Sequence, residues 1–123
     1  MPESESLKRF GAHQKALALF DGVVADLTPL AREPALQRLI SQQYASADSM
    51  ASNIEEGYGR GSKRDYAHFL IIARGSAQET RGRYERLKHW LSPERIMPRV
   101  ALCDEIIAIL TATIRRLREL DKE

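Results

Sequence analysis

The chain has 123 residues, and its net charge of +2 is too small to indicate a class of partner by itself. This length fits one domain, and 7% aromatic residues beside abundant Ala and Leu is a helical composition. The single Cys103 excludes an internal disulfide, and the lack of an apolar signal core or membrane-length apolar run predicts a cytoplasmic protein without a membrane partner.

The first predicted helix covers about residues 6–28, where apolar residues recur every three or four positions. Residues 1–5 before it are expected to form a flexible tail. Pro29 and Pro34 interrupt the pattern, because proline lacks an N–H and disfavours helix in the residue before it. Pro34 is therefore predicted to begin a second helix, which runs to about Glu56.

A glycine-punctuated turn separates the second helix from a third. Gly57 is predicted to be a left-handed cap of the second helix. Ser62 caps the third helix, with Asp65 at the reciprocal position of a capping box, and the apolar rhythm continues to Leu91. Gly75 lies inside this helix at a cost of about 1 kcal/mol relative to alanine, so we expect it to permit a close crossing with small residues of the second helix.

The fourth predicted helix starts at Ser92 and Pro93, and Pro98 predicts either an irregular first turn or a later start. Its apolar surface is too wide for one seam, and Cys103 within it is predicted to be buried rather than reactive. Four amphipathic helices with short links and no strand pattern predict an all-α, up-down-up-down four-helix bundle, with residues 1–123 as a single domain.

Two sets of polar residues lie beside the apolar stripes of the second and third helices. We predict a structural polar network between these helices, because an unpaired buried polar group costs about 1–3 kcal/mol. A ligand-binding or catalytic site built from the same groups is the alternative, although no nucleophile lies beside a base. The set comprises Ser49, Asn53, Glu56, Arg74, Ser76 and Glu79.

These residues belong to a longer pattern that resembles a known family. The pattern reads Ser49-x-x-x-Asn53-Ile54-x-Glu56-Gly57-x-Gly59-Arg60, then Phe69-Leu70-x-x-Ala73-Arg74-Gly75-Ser76-x-x-Glu79. It resembles the signature of the bacterial four helix bundle protein family, which includes S23-like proteins encoded in intervening sequences of 23S rRNA genes. It is also similar to the accessory variability determinant of diversity-generating retroelements. One departure is that His13-Gln14 takes the place of a Trp-Gln pair usual in the family.

The resemblance implies a left-handed bundle that assembles into a homopentameric, barrel-like ring, with a biochemical function that is mostly unassigned. The retroelement relative binds nucleic acid and a reverse transcriptase. The resemblance therefore implies three kinds of partner: further copies of the chain, RNA or DNA, and a protein such as a reverse transcriptase.

Positive charge is concentrated on the third helix and the turn before it, since residues 58–91 contain eight basic and three acidic residues. Five copies of this patch in a ring would form a strongly basic surface, and binding through phosphates requires little more. A solvated helix face is the alternative. The candidate nucleic-acid-binding residues are Arg60, Lys63, Arg64, Arg74, Arg81 and Lys88.

The residues support enzymatic alternatives less well. Di-metal bundles need a Glu-x-x-His on each of two helices, and only Asp65-x-x-His68 comes near this pattern. Arg64 with His68, and Arg83 with His89, invite comparison with RNA-cleaving helical bundles, but the second pair lies on different helix faces. We therefore predict a non-enzymatic homo-oligomer without catalytic residues, metal or cofactor, which binds nucleic acid. A protein-binding scaffold and a small nuclease-like enzyme are the alternatives.

Overall fold

The computed structural model describes residue 7 and residues 9–122, so the tail predicted at 1–5 lies outside the described residues. The described chain forms four α-helices and no β-strand, which confirms the all-α class. The helices are α1 (Gly11–Leu27), α2 (Gln37–Tyr58), α3 (Lys63–Arg86) and α4 (Pro93–Asp121). Short 3₁₀ segments cover Thr28–Leu30, Pro34–Leu36 and Leu87–His89.

Each helix packs against two neighbours around one core. α2 contacts α1 and α3, and α4 contacts α3 and α1. Hydrogen bonds from Gln43 to Thr80 and between Ser76 and Ser49 pair the two sequences in opposite directions, so α2 and α3 are antiparallel. The up-down-up-down order and left-handed twist of the whole bundle stay predictions. Fully buried core side chains include Leu19, Leu27, Leu36, Met50, Ile54, Leu70, Leu87, Ile106 and Leu110.

The start of α3 follows the capping chemistry predicted from the sequence, whereas Ser92 before α4 makes no side-chain capping hydrogen bond to a described residue. Ser62 Oγ accepts a hydrogen bond from the Asp65 N–H at 3.1 Å, so the predicted cap of α3 is confirmed. α4 begins at Pro93 and continues through Pro98, so the predicted later start is wrong. Pro98 removes one backbone donor within the first turns, and the helix accommodates that loss. No helix among the described residues is long and apolar enough to cross a membrane.

The start of α2 and the end of α3 differ from the predicted boundaries. The chain from Pro34 forms a 3₁₀ segment before α2, and α3 ends at Arg86 rather than at Leu91. In both places three residues adopt the tighter 3₁₀ geometry that is common at the ends of α-helices.

Two glycines have roles other than the predicted ones. No described glycine has a positive φ, so the left-handed cap predicted at Gly57 is wrong, and α2 continues past it. A Cβ at Gly57 would lie 2.7 Å from the Phe69 Cβ, so this glycine lets α2 approach the first turns of α3. A Cβ at Gly75 would meet nothing within 4 Å, so the close crossing predicted there is also wrong. The neighbouring Ser76 makes the contact with α2 instead.

Candidate nucleic-acid interface and buried polar clusters

Three of the six residues in the predicted polar network meet between α2 and α3. Ser76 Oγ donates to Ser49 Oγ at 2.9 Å, and Asn53 Nδ2 donates to the same oxygen at 2.9 Å. Asn53 Nδ2 also donates to the Ser49 carbonyl at 2.9 Å. Ser49 is therefore the centre of this group and accepts hydrogen bonds from both helices.

The other three residues of the predicted network lie elsewhere. Glu56 accepts a hydrogen bond from Arg60 at 2.6 Å on an exposed surface. Arg74 Nη1 donates to Thr111 Oγ1 of α4 at 3.3 Å. Glu79 is exposed and interacts electrostatically with an arginine one turn later on α3. Long charged side chains reach solvent from the edge of a helix interface, so helical spacing alone does not bring them together.

A buried polar cluster that the sequence analysis missed lies beside Ser76. Gln43 Nε2 donates to the Thr80 carbonyl at 2.9 Å, and the hydroxyl oxygens of Ser46 and Thr80 lie 2.7 Å apart. Thr80 Oγ1 also donates to the Ser76 carbonyl at 2.9 Å. Together with Arg83 these residues are less than a tenth exposed. Gln43, Ser46, Thr80 and Arg83 form what we call the core polar cluster.

Arg83 places a positive charge inside the core polar cluster. Its Nη1 donates to Gln43 Oε1 at 2.8 Å, to Ser46 Oγ at 3.0 Å and to the Gln42 carbonyl at 3.3 Å. All three acceptors are neutral, and Arg83 Nε is buried without a hydrogen-bond partner. Burial lowers the pKa of the Arg83 guanidinium, and the Glu79 charge opposes this effect. Buried charges are normally paired, so the neutral surroundings of this guanidinium require an explanation.

The most extensive charged cluster joins α1, α3 and α4. The Asp26 carboxylate is fully buried and accepts a hydrogen bond from Tyr84 Oη at 2.7 Å. Arg99 donates to both carboxylate oxygens, at 2.8 and 3.1 Å, and Arg95 Nη1 donates at 3.3 Å. Burial, and then the hydrogen bond to Asp26, raise the pKa of the Tyr84 hydroxyl, which keeps it a donor. We call these four residues the Asp26 cluster.

The sequence contains two signals for the Asp26 cluster. Asp26 is an acidic residue within the apolar pattern of α1, and Gly22 lies one turn before it. A Cβ at Gly22 would come within 2.6 Å of Arg99 Cζ, so glycine leaves space for the guanidinium against α1. Neither signal identifies the partners, because Tyr84 and Arg99 are 58 and 73 positions away from Asp26.

A buried histidine connects α1 to α2. His13 Nε2 lies 2.7 Å from Glu55 Oε2, and the imidazole is buried whereas the glutamate is half-exposed. His13 Nδ1 is buried and has no hydrogen-bond partner. This contact supports packing between the two helices.

Two of the predicted nucleic-acid-binding residues form ion pairs within the chain. Arg60 pairs with a glutamate one turn earlier, and its guanidinium carbon lies 4.8 Å from the centre of the Phe69 ring. Arg81 donates to Asp104 of α4 at 2.6 Å and to Glu85 at 2.9 Å. The hydrogen bond to Asp104 raises the pKa of Arg81. Both arginines are partly neutralised by neighbouring carboxylates.

The remaining cations of the predicted set are spread along the length of α3 and the 3₁₀ segment after it. Lys63 and Arg64 are the first two residues of α3, whereas Lys88 lies in the 3₁₀ segment after its end. The 24 residues of α3 correspond to about 36 Å at 1.5 Å per residue. Arg74 lies between these ends and is bonded to α4. The predicted set is therefore distributed along the bundle.

Lys63 and Arg64 line a groove with residues from the last turns of α4. This end groove has a volume of about 360 Å³. An adjoining groove shares Arg118 with it and adds Arg115 and Lys122. None of these five cations forms an ion pair with a described residue. The end groove is lined by Lys63, Arg64, Ala67, His68, Ile71, Leu117, Arg118 and Asp121.

The residues considered for catalysis are dispersed. Arg64 and His68 both line the end groove, but Arg83 is in the core polar cluster, whereas His89 lies against the Trp90 ring. Within the described chain, no group of three or more His, Cys, Asp or Glu residues is placed to hold a metal ion. Cys103 is buried, and burial raises the pKa of its thiol to about 12.

Comparisons with known proteins agree with the resemblance seen in the sequence. A crystal structure from Bacteroides thetaiotaomicron, described as a protein with unknown function from the S23 ribosomal protein family, is similar with a TM-score of 0.76 and 25% sequence identity. The similarity covers 85% of this chain and 95% of that chain. None of the curated proteins compared with this chain matches it significantly. Residues 8–112 match the family described as 23S rRNA-intervening sequence protein, and the chain therefore belongs to that family.

Proposed function

We propose that this protein is a non-enzymatic helical module that binds nucleic acid through the phosphate backbone, with the end groove as its contact surface. The observation that carries the proposal is a group of five cations without ion pairs that line this groove and the adjoining one: Lys63, Arg64, Arg115, Arg118 and Lys122. A phosphate backbone is a ligand that such a surface attracts without a shaped pocket, because binding is driven largely by counterion release.

Helix geometry supports the same location. The first N–H groups of α3 lie beside Lys63 and Arg64, and a helix N-terminus carries a partial positive charge that favours phosphate. Asp121 and Glu119 reduce the positive charge around the grooves without cancelling that of five cations. The predicted contact set is thereby revised, since Arg60 and Arg81 are already paired with carboxylates.

The test is fluorescence anisotropy with a labelled RNA hairpin and a labelled DNA duplex. We expect binding at low salt that weakens about 100-fold between about 50 and 200 mM salt, as four phosphate contacts would give. Replacing Lys63, Arg64 and Arg118 together by glutamine should abolish most of this binding and flatten its salt dependence.

The matched control removes three cations that are already in ion pairs, by replacing Lys15, Arg60 and Arg81 with glutamine. Both triple variants lose the same formal charge, so a general charge effect would weaken them equally. The proposal requires the end-groove variant to lose much more affinity than the control. Equal losses, or no binding of either nucleic acid at low salt, would refute it.

We also propose that the protein self-associates, with a pentamer as the expected state. The supporting observation is exposed apolar surface on α1, where Leu17 is 45% and Val24 is 37% exposed. These residues are seven positions apart and therefore share a helix face. A ring would repeat the end groove and increase affinity for a long nucleic acid through multivalency.

Light scattering after size-exclusion chromatography tests the assembly. We expect a homo-oligomer that dissociates when Leu17 and Val24 are both replaced by glutamine, with helix content unchanged by circular dichroism. A monomeric wild-type protein would refute self-association. A monomer that captures a defined protein partner through this face would favour the scaffold alternative instead.

A further inference from the structure

A groove on the α2–α3 face lies apart from the end groove and is lined by Ser46, Ser49, Ile72, Ser76, Glu79 and Arg83, among others. We propose that this Arg83 groove binds a small oxyanion, a carboxylate or a phosphoryl group, whose oxygens accept hydrogen bonds from the Arg83 guanidinium and from a serine hydroxyl. The proposal is independent of nucleic-acid binding at the end groove.

Arg83 has a hydrogen-bonding edge that no described residue uses. All its hydrogen bonds to described residues use Nη1. Nε is buried and has no hydrogen-bond partner. The residue as a whole is 8% exposed and lines the groove. A guanidinium held through Nη1 keeps its Nε–H and Nη2–H donors, and this planar edge matches two oxygens of one carboxylate or phosphoryl group.

The same groove contains a serine hydroxyl that has no acceptor among the described residues. Ser49 Oγ accepts hydrogen bonds from Ser76 Oγ and Asn53 Nδ2, and it donates to no described residue. A hydroxyl that accepts two hydrogen bonds still has its own hydrogen to donate. Ser49 and Arg83 line the same groove, so a bound oxyanion would supply acceptors to both.

The charge of Arg83 is not balanced by an ion pair with a described residue. A buried cation is costly unless it is paired, and the acceptors around Arg83 are neutral. Glu79 lies one turn before Arg83 at the groove and forms no ion pair with it in the structure. If Glu79 swings inward it would pair with Arg83 and compete with an external anion. Removing the Glu79 charge should therefore strengthen anion binding.

The experiment follows the Arg83 Nε–H resonance in ¹⁵N–¹H spectra during separate titrations with sodium phosphate and sodium acetate, at an ionic strength held constant with chloride. We expect a saturable shift of this resonance with at least one of the anions. A response to phosphate alone would assign the site to phosphoryl groups, and a response to acetate alone would assign it to carboxylates. No shift with either anion would overturn the proposal.

Variants separate this site from a general charge effect, with binding followed through the amides of Ser49 and Ser76. Arg83→Lys keeps the charge but loses the planar edge, and should weaken binding about tenfold or more. Glu79→Gln should tighten binding severalfold, and Arg86→Lys, an exposed change one turn away, should have no effect.

Two further variants test whether the anion binds at Arg83 and not in the end groove. Replacing Lys63 and Arg64 by glutamine should leave the Arg83 Nε–H shift intact, because these residues are in the end groove. If Arg83→Lys does not fold, Ser49→Ala provides the second probe and should weaken binding without altering the Arg83 contacts to Gln43. The proposal would be contradicted if whichever of Arg83→Lys and Ser49→Ala is folded binds the anion with unchanged affinity. Weaker anion binding by Glu79→Gln would also contradict it.

Discussion

The Asp26 cluster should be the most sensitive charged group in the protein. Its carboxylate is completely buried and accepts hydrogen bonds from Tyr84, Arg95 and Arg99. Replacing Asp26 by alanine removes the anion and leaves the Tyr84 hydroxyl and the Arg99 guanidinium without their acceptor. Breaking a buried ion pair in this way costs about 3–5 kcal/mol. For a domain of this size that corresponds to a loss of about 12–20 °C in melting temperature.

Urea unfolding followed by circular dichroism measures this loss, with Tyr84→Phe as the graded comparison. The phenylalanine variant removes one donor while both arginines still contact Asp26, so we expect a cost of about 1–2 kcal/mol. The double variant of Asp26→Ala with Arg99→Ala should cost less than the sum of the single variants, because neither partner of the ion pair is then left behind as an unpaired charge. Additive costs, or less than about 1 kcal/mol for Asp26→Ala, would refute the reasoning.

The remaining predictions concern glycines and the alkaline limit of stability. Gly57→Ala should destabilise by about 1–3 kcal/mol, because its Cβ would lie 2.7 Å from the Phe69 Cβ, and urea midpoints measure this. Gly75→Ala is the matched control, and should stabilise by up to about 1 kcal/mol, since its Cβ meets no neighbour. Folding raises the pKa of Cys103 from 9.0 to about 12 and that of Tyr66 from 10.0 to about 12. Both groups are thus more easily deprotonated when unfolded, so stability should be complete below pH 9 and decrease as pH rises towards 12. Stability independent of pH in this window would contradict that assignment. Native Cys103 should correspondingly react slowly with iodoacetamide at neutral pH, and a rate equal to that of the urea-unfolded chain would contradict its burial.

The α2–α3 interface illustrates how far helical spacing predicts contacts. Periodicity placed Ser49, Asn53 and Ser76 beside the apolar stripe, and the structure brings these three together. Periodicity could not predict the buried position of Arg83, because its acceptors Gln43 and Ser46 are 40 and 37 positions earlier in the chain. Which turn of α2 faces which turn of α3 depends on the axial offset between the helices, and a hydrophobic stripe is compatible with several offsets.

The sequence by itself determined the all-α class, the four helices and the cap at Ser62, because capping and apolar periodicity act between residues a few positions apart. It also indicated the family, through the resemblance of its motif between Ser49 and Glu79, and residues 8–112 match that family. Local spacing of four residues accounts for the ion pairs of Arg60 with Glu56 and of Arg81 with Glu85. Only the tertiary structure decided which charges meet a partner that is distant in the chain. Arg81 meets Asp104 of α4, 23 positions away, whereas Lys63 forms no ion pair with a described residue. For such distant pairs the neighbour is set by the relative rotation and offset of whole helices rather than by local spacing.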